Sequence, residues 1–337
     1  MTPAKFTGFR YNYSMAEAMA QANVEDAWRV RLALGPEPLE NVSYLLPPLL
    51  IPPSLPPLPE GPHDPTEFVL DITGERPLLA GAVRSAFAVD KRVGMGLSHL
   101  WATRRGREGQ WRSLNEFPDD ASLVALTMTW ELTGIFTEGV EAIAELSGYI
   151  LRARALANSV GWNVIPRETP VAASTRAARL TVLKVRFAQS IEMRLSPQGR
   201  AFPDRSIWRA LYGIGLVWGS GDLFHWFGGA DVPLFSVSGL GHPTRFLPER
   251  AAEGEGSTGL SLAFELPVSP SPLEVYDRMS VALSYLRQKL GGQPLASDGS
   301  ELDANRLFDD RDTLSDAIQE MARVGIAPNS PDARRLF

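Results

Sequence analysis

From Thr66 onward the chain runs through one order of secondary structure twice, and that repetition constrains its fold more than any single motif. In the first pass Phe68, Leu70 and Ile72 alternate with Val69 and Asp71, the two-residue period of a half-buried strand. Pro77 then predicts the start of an apolar helix over residues 78–89, followed by strands over 97–103, 110–115 and 123–131. A long helix over 138–159 carries Ile143, Leu146, Ile150, Ala153 and Ala157 on one face. Gly161 ends it, a short strand covers 162–165, and a helix over 171–187 closes the pass.

The second pass keeps that order. Ile191, Met193 and Leu195 alternate with Glu192 and Arg194. A helix over 206–216 and strands over 223–227, 234–240 and 260–266 follow. The helix over 273–290 places Val275, Met279, Ala282, Leu283, Leu286 and Leu290 in one stripe, and Gly291-Gly292 supplies its cap. A last helix covers 307–324. Residues 125–130 and 261–266 lie side by side, and the long helices begin at matching distances after them. The expected fold class is therefore α+β. Two tandem units, 66–188 and 189–337, each form an antiparallel sheet with helices packed on one face.

Residues 1–65 read as a helical arm and a proline-rich linker. The arm's helix spans 14–34, with Ser14 and Glu17 at capping-box spacing, and Gly35-Pro36-Glu37-Pro38 stops it. The prolines of 46–65 remove backbone donors and fix φ, which predicts an extended spacer; docking on SH3-like partners is the other use of such a tract. Residues 1–10 lack the apolar core of a signal peptide, and no stretch offers the ~18 uninterrupted apolar residues of a spanning helix. The expectation is a cytoplasmic protein that meets a membrane only indirectly.

Chemistry is excluded more readily than found. The chain's 337 residues carry a net charge of -6 and an acidic balance, which argues against nucleic acid as a main partner. It has no cysteine, so disulfides, thiolate catalysis and Cys-ligated zinc are ruled out. His63, His99, His225 and His242 never fall at the spacing of a helical zinc motif and read as structural. There is no P-loop and no G-x-S-x-G elbow, and Gly94-Met95-Gly96 and Gly213-Ile214-Gly215 read as turn and packing glycines. Asp119-Asp120 and Asp309-Asp310-Arg311-Asp312 lack EF-hand spacing; the second group is placed in the first turn of the last helix, where carboxylates suit the helix dipole. No enzyme activity, cofactor or metal is expected.

Strand parity points instead to a surface. In the second pass Ile191, Met193, Leu195, Phe224, Trp226, Phe235, Val237, Leu262, Phe264 and Leu266 share one apolar face, which should lie under the helices. The other face carries Glu192, Arg194, Leu223, His225, Phe227, Leu234, Ser236, Ser238, Leu240, Ser261 and Ala263. Small residues flanked by leucines and phenylalanine form a shallow groove for an amphipathic helix or extended peptide; a solvated or internally covered face is the alternative.

These stretches resemble a known family. The segment LSLAFELPVSP leading into EVYDRMSVALSYLRQKLGGQPLASDGSELD, with Leu234-Phe235-Ser236-Val237 and Gly221-Asp222-Leu223 before it, is similar to the C-terminal domain of the bacterial cell-division protein ZipA. The likeness is clearest over 189–324 and weaker but orderly over 66–187. It implies an α+β fold and binding of the C-terminal tail peptide of FtsZ in an apolar groove on the open sheet face. The family's groove positions fall on Glu192, Leu223, His225, Ser236, Ser238, Leu240, Ser261 and Ala263, the face already reached by parity. This chain departs from the family in lacking an N-terminal membrane anchor and in carrying Glu192 and Arg194 on the first strand of the groove. The expectation is a non-enzymatic adaptor that binds FtsZ or another divisome protein and is recruited to midcell. The alternatives are a scaffold whose open faces mediate homo-oligomerisation or another protein contact, and an enzyme or small-molecule sensor on the same scaffold.

Overall fold

The computed structural model of the chain describes residues 25–50, 58–92, 95–104, 110–134 and 139–337. Contacts divide it into two compact units. One, here the first unit, comprises Leu55–Ser190, Glu265–Pro272 and Thr313–Phe337; the second comprises Met1–Ser54, Ile191–Phe264 and Leu273–Asp312.

The arm enters as α1, Glu25–Leu34. Residues 14–24, including the capping box, lie outside the described residues. Gly35 closes α1 in the left-handed region at φ +75, its N–H on the Arg31 carbonyl at 3.0 Å. The proline-rich stretch is not a free spacer at its start. Val42, Leu46 and Leu49 are buried, the Val42 N–H bonds the Gly213 carbonyl, and the Leu49 N–H bonds the Gly228 carbonyl, each at 2.8 Å. Its leucines supply apolar anchors that the proline count concealed; residues 51–57 are not described.

In the first unit β1 spans Glu67–Leu79, α2 Ala80–Ala86, β2 His99–Thr103, β3 Arg112–Ser113 and β4 Ser122–Glu131. The helix α3 spans Gly139–Asn158, β5 Asn163–Pro166 and α4 Pro170–Phe187. Among the described residues the strands order as β3-β2-β4-β1-β5. Two expectations fail here. Pro77 does not start a helix: it sits in the irregularity between Thr73 and Leu78 where β1 shifts register against β4, and the strand runs on to Leu79. Nor is β1 half-buried, because Val69 and Asp71 are as buried as Phe68, Leu70 and Ile72. The expected third strand shrinks to two residues before a 3-10 turn at Leu114–Glu116.

The second unit's sheet begins with β6, Ser190–Ser196, and continues through β7 Phe202–Pro203, α5 Asp204–Gly213, β8 Val217–Gly219, β9 Leu223–Trp226 and β10 Phe235–Gly239. Then come α6 Pro248–Glu253, β11 Gly256–Ser257, β12 Leu260–Glu265, α7 Pro272–Leu290 and β13 Gln293–Ala296. The main sheet orders as β13-β6-β12-β10-β9-β8, and β7 pairs with β11. Strand β8 was not expected; three residues ending in glycine carry no periodic signal.

Two helices finish the chain, α8 Ala304–Arg323 and α9 Pro331–Leu336. The acidic group at 309–312 therefore falls in the second turn of α8, not the first, and α8 is not last. Asp310 pairs with Arg306 at 2.8 Å, and Arg311 reaches Asp277 at 2.8 Å, so the group is tied into ion pairs. Among the described residues no cluster of three or more acidic, His or Cys side chains is arranged to hold a metal, and no helix is long and apolar enough to cross a membrane.

Candidate functional site

The site residues are placed by strand alternation. Along β6, Met193 and Leu195 are buried while Glu192 and Arg194 are half-exposed on the other face. Phe224 and Trp226 of β9, Phe235 and Val237 of β10, and Leu262 and Phe264 of β12 join Met193 in the core. Helix α7 lies against that side, with the Ser280 hydroxyl 3.9 Å from the Met193 sulfur. Helix α5 does too, its Trp208 meeting Phe224 edge to face at 5.0 Å. The described part of the arm also stays there: Arg29 pairs with Glu249 of α6 at 2.9 Å and sits 5.3 Å from the Trp218 ring.

The opposite face has a definite register. Val217 opposes His225, His225 opposes Ser236, and Ser236 opposes Ala263, giving one row across four strands. Ser238 and Ser261 form the next pair. Side chains this short leave a shallow trough. Leu223 stands beside it on β9, with Phe227 just beyond that strand and Leu240 just beyond β10, all half-buried. Val217, exposed at 42%, belongs to this row and was missed because β8 was missed. Leu234 does not belong to it. It precedes β10, is 3% exposed, and donates its N–H to the Trp226 carbonyl at 2.8 Å. The turn that holds it needs Gly228, at φ +56: a Cβ there would stand 2.6 Å from the Leu234 side chain.

The two charges on β6 cancel locally. The Arg194 guanidinium donates to both Glu192 carboxylate oxygens at 2.9 and 2.7 Å, and the Ser261 hydroxyl donates to the same carboxylate at 2.6 Å. The Arg194 hydrogen bonds, assisted by Ser261 and opposed by burial, hold the Glu192 carboxyl below its ordinary range. The polar end of the trough is thus a closed ion pair rather than a free charge.

His225 is equally settled. Its Nε2 lies 2.9 Å from the Ser220 carbonyl, an acceptor, so Nε2 carries the proton. Nδ1, 2.8 Å from the Ser236 hydroxyl, then accepts from it. Burial lowers the ring's pKa, only partly offset by the Ser220 carbonyl, so the neutral form prevails at pH 7. The arrangement is a trough whose own polar atoms are largely satisfied, edged by apolar side chains.

The first unit has a face of the same make. Asp71 on β1 accepts a two-tined guanidinium from Arg167 at 3.1 and 3.0 Å and a hydroxyl from Thr127 of β4 at 3.0 Å. His99 on β2 opposes Thr129 of β4. Here, however, Glu67, Val69, Asp71, Thr127 and Thr129 are all buried.

Comparison with known proteins bears on the second unit. The chain matches "Cell division protein ZipA" of Actinobacillus succinogenes at 29% identity over 112 residues, 32% of each chain, so the match spans about a third of that relative's length. Residues 190–312, which hold the whole trough, match the family model described as the ZipA, C-terminal FtsZ-binding domain.

Proposed function

We propose that the chain is a non-enzymatic cell-division adaptor that takes the C-terminal tail peptide of FtsZ, or of another divisome protein, on the trough of the second unit. The observation that carries this is the coincidence of two things in residues 190–312: a match to an FtsZ-binding domain and a small-residue trough formed by Ser236, Ser238, Ser261 and Ala263 between apolar edges. A peptide laid there meets short side chains and satisfied polar atoms, so shape and apolar burial supply its affinity. The site comprises Glu192, Leu223, His225, Phe227, Ser236, Ser238, Leu240, Ser261 and Ala263, with Val217 added.

Residues 66–188 and 189–337 are tandem versions of one ZipA-like design in this reading. In both, the first strand lies between the short strand that follows the long helix and the strand that precedes it: β5-β1-β4 in one, β13-β6-β12 in the other. Both also set a carboxylate against a hydroxyl of that neighbouring strand and an arginine. The protein acts in the cytoplasm and is drawn to midcell through its partner.

Titration of the folded chain with a synthetic FtsZ tail peptide tests the reading. Saturable binding supports it; no signal at about 0.5 mM peptide, weaker than any Kd of functional use in such an adaptor, refutes FtsZ as partner. A fluorescent fusion that stays diffuse through division would refute the divisome role altogether. Light scattering addresses the scaffold alternative, which requires a dimer that Leu223→Asp or Phe227→Asp dissolves.

A further inference from the structure

A short helix packs beside the Glu67 end of the first unit's sheet. Residues 330–337 follow every strand in sequence and form a single short helix, α9, with Ser330 as its N-cap. A helix of six residues has no stability of its own in water, so the surface beneath must order it. Ala333 and Leu336 are buried to 0% and 1% exposure. Polar pairs hold the rest. Asp332 meets His63 Nε2 at 2.9 Å, Arg335 donates to the Pro59 carbonyl, and the Arg335 guanidinium lies 3.8 Å from the buried Glu67 carboxylate. Just before the helix, the Asn329 N–H bonds the Pro267 carbonyl at 2.8 Å.

Glu67 begins the face of β1 that also bears Asp71, and it opposes Glu131 of β4. Between this end of the sheet and α9 lies a cleft of about 290 Å³, walled by Glu67, His99, Trp101, Glu131, Arg334 and Arg335. Two fully buried apolar side chains and a few polar pairs to Pro59, His63 and Glu67 hold the segment, and its departure would break no strand pairing.

We propose that the first unit is a second peptide-binding surface whose occupant is the chain's own segment 330–337, which closes that surface to a partner until it is displaced. The segment also states the chemistry a competitor must copy: an acid for His63, an arginine three residues on for Glu67 and Pro59, and small or branched apolar residues between and after them. A tethered segment acts at an effective concentration on the order of millimolar, so a free peptide of about 10 μM affinity sees the intact chain about 100-fold more weakly than an emptied one. This inference stands apart from the choice of FtsZ as partner, since its probe is the chain's own sequence.

The experiment uses a synthetic peptide of residues 330–337, titrated calorimetrically into the intact chain and into a chain ending at Asn329. Saturable binding to the shortened chain, at least about 100-fold tighter than to the intact one, is the expected result. The full-length D332A/R335A chain keeps Ala333 and Leu336 in place and should take up the free peptide about tenfold more tightly than the unaltered chain. A folded shortened chain that ignores the peptide at about 1 mM, or an intact chain that binds it equally well, overturns the proposal. If the shortened chain does not fold, the double substitution decides: no gain over the unaltered chain overturns it.

Discussion

Replacing Ser261 with alanine isolates one strut of the trough. The Ser261 hydroxyl, in a residue 7% exposed, donates to the Glu192 carboxylate at 2.6 Å. A hydrogen bond to a charged group contributes about 1.5–3 kcal/mol net. Alanine removes it without orphaning Glu192, which keeps both bonds from Arg194, and the Glu192 side chain retains 21% exposure to water. The loss should therefore fall at the low end, about 1–2 kcal/mol at pH 7. The penalty must also depend on pH with a definite sign. Glu192 has a folded-state pKa below its unfolded value, first through Arg194 and then through Ser261. Its contribution is complete above the unfolded value of about 4.3 and is lost as pH falls through the folded one. Once protonated, the carboxyl no longer offers the hydroxyl a charged acceptor, and the difference between wild type and Ser261→Ala shrinks. Native-state hydrogen exchange over residues 190–196 and 260–265 reads this locally, without assuming that a two-unit protein unfolds in one step. About tenfold lost protection at pH 7, closing toward parity at acid pH, is expected. A penalty of the same size at both pH values would refute the hydroxyl–carboxylate assignment.

Nitrogen NMR at pH 7 should find His225 neutral with its proton on Nε2, because the Ser220 carbonyl can only accept; an Nδ1 tautomer would contradict the geometry. Since burial lowers its pKa, protonation opposes the fold, and Ser236→Ala, which removes a donor to the neutral ring, should lessen the stability lost as pH drops below about 6.5. Gly228→Ala combines a left-handed backbone with a Cβ 2.6 Å from the Leu234 side chain; a loss of about 2–4 kcal/mol is expected in thermal or urea unfolding of the second unit. Ala263→Trp fills the row shared with Ser236 and should weaken tail-peptide binding at least about tenfold while leaving the circular dichroism unchanged.

The core of the second unit was legible because its signal is local. Met193, Leu195, Phe224, Phe235, Val237, Leu262 and Phe264 all point inward as the two-residue period requires, and Val275, Met279, Ala282, Leu283 and Leu286 line α7 as the helical period requires. The face that carries the candidate residues followed from the same parity, except at Leu234, whose place depends on a turn rather than a strand. The first unit resisted this reading. An aspartate at position 71 alternates with apolar residues and so looks solvent-facing, yet it is buried because Arg167, far along the chain, supplies its counter-charge. Pro77 misled for a related reason: a proline is tolerated where β1 breaks register with β4, and only the pairing reveals that break. The anchoring of Leu46 and Leu49 likewise depends on partners at Gly228 and elsewhere that composition does not disclose.

The two carboxylate sites differ in where their arginine comes from. Each unit sets an acid on its first strand beside a hydroxyl of the neighbouring strand, and each supplies an arginine, but from different places. In the first unit Arg167 follows the short strand β5 and reaches over β1, leaving the Asp71 side chain 1% exposed. The acid is sealed, and the same face carries α9 at its Glu67 end. In the second unit Arg194 comes from the acid's own strand, two residues on, and lies beside Glu192 on β6. It satisfies the charge without crossing toward β12, β10 and β9, so the row through Ala263, Ser236 and His225 keeps only small or internally bonded side chains over it. A ligand settling there displaces water from apolar edges and has no buried charge to uncover, which avoids the largest cost of binding on a polar sheet face.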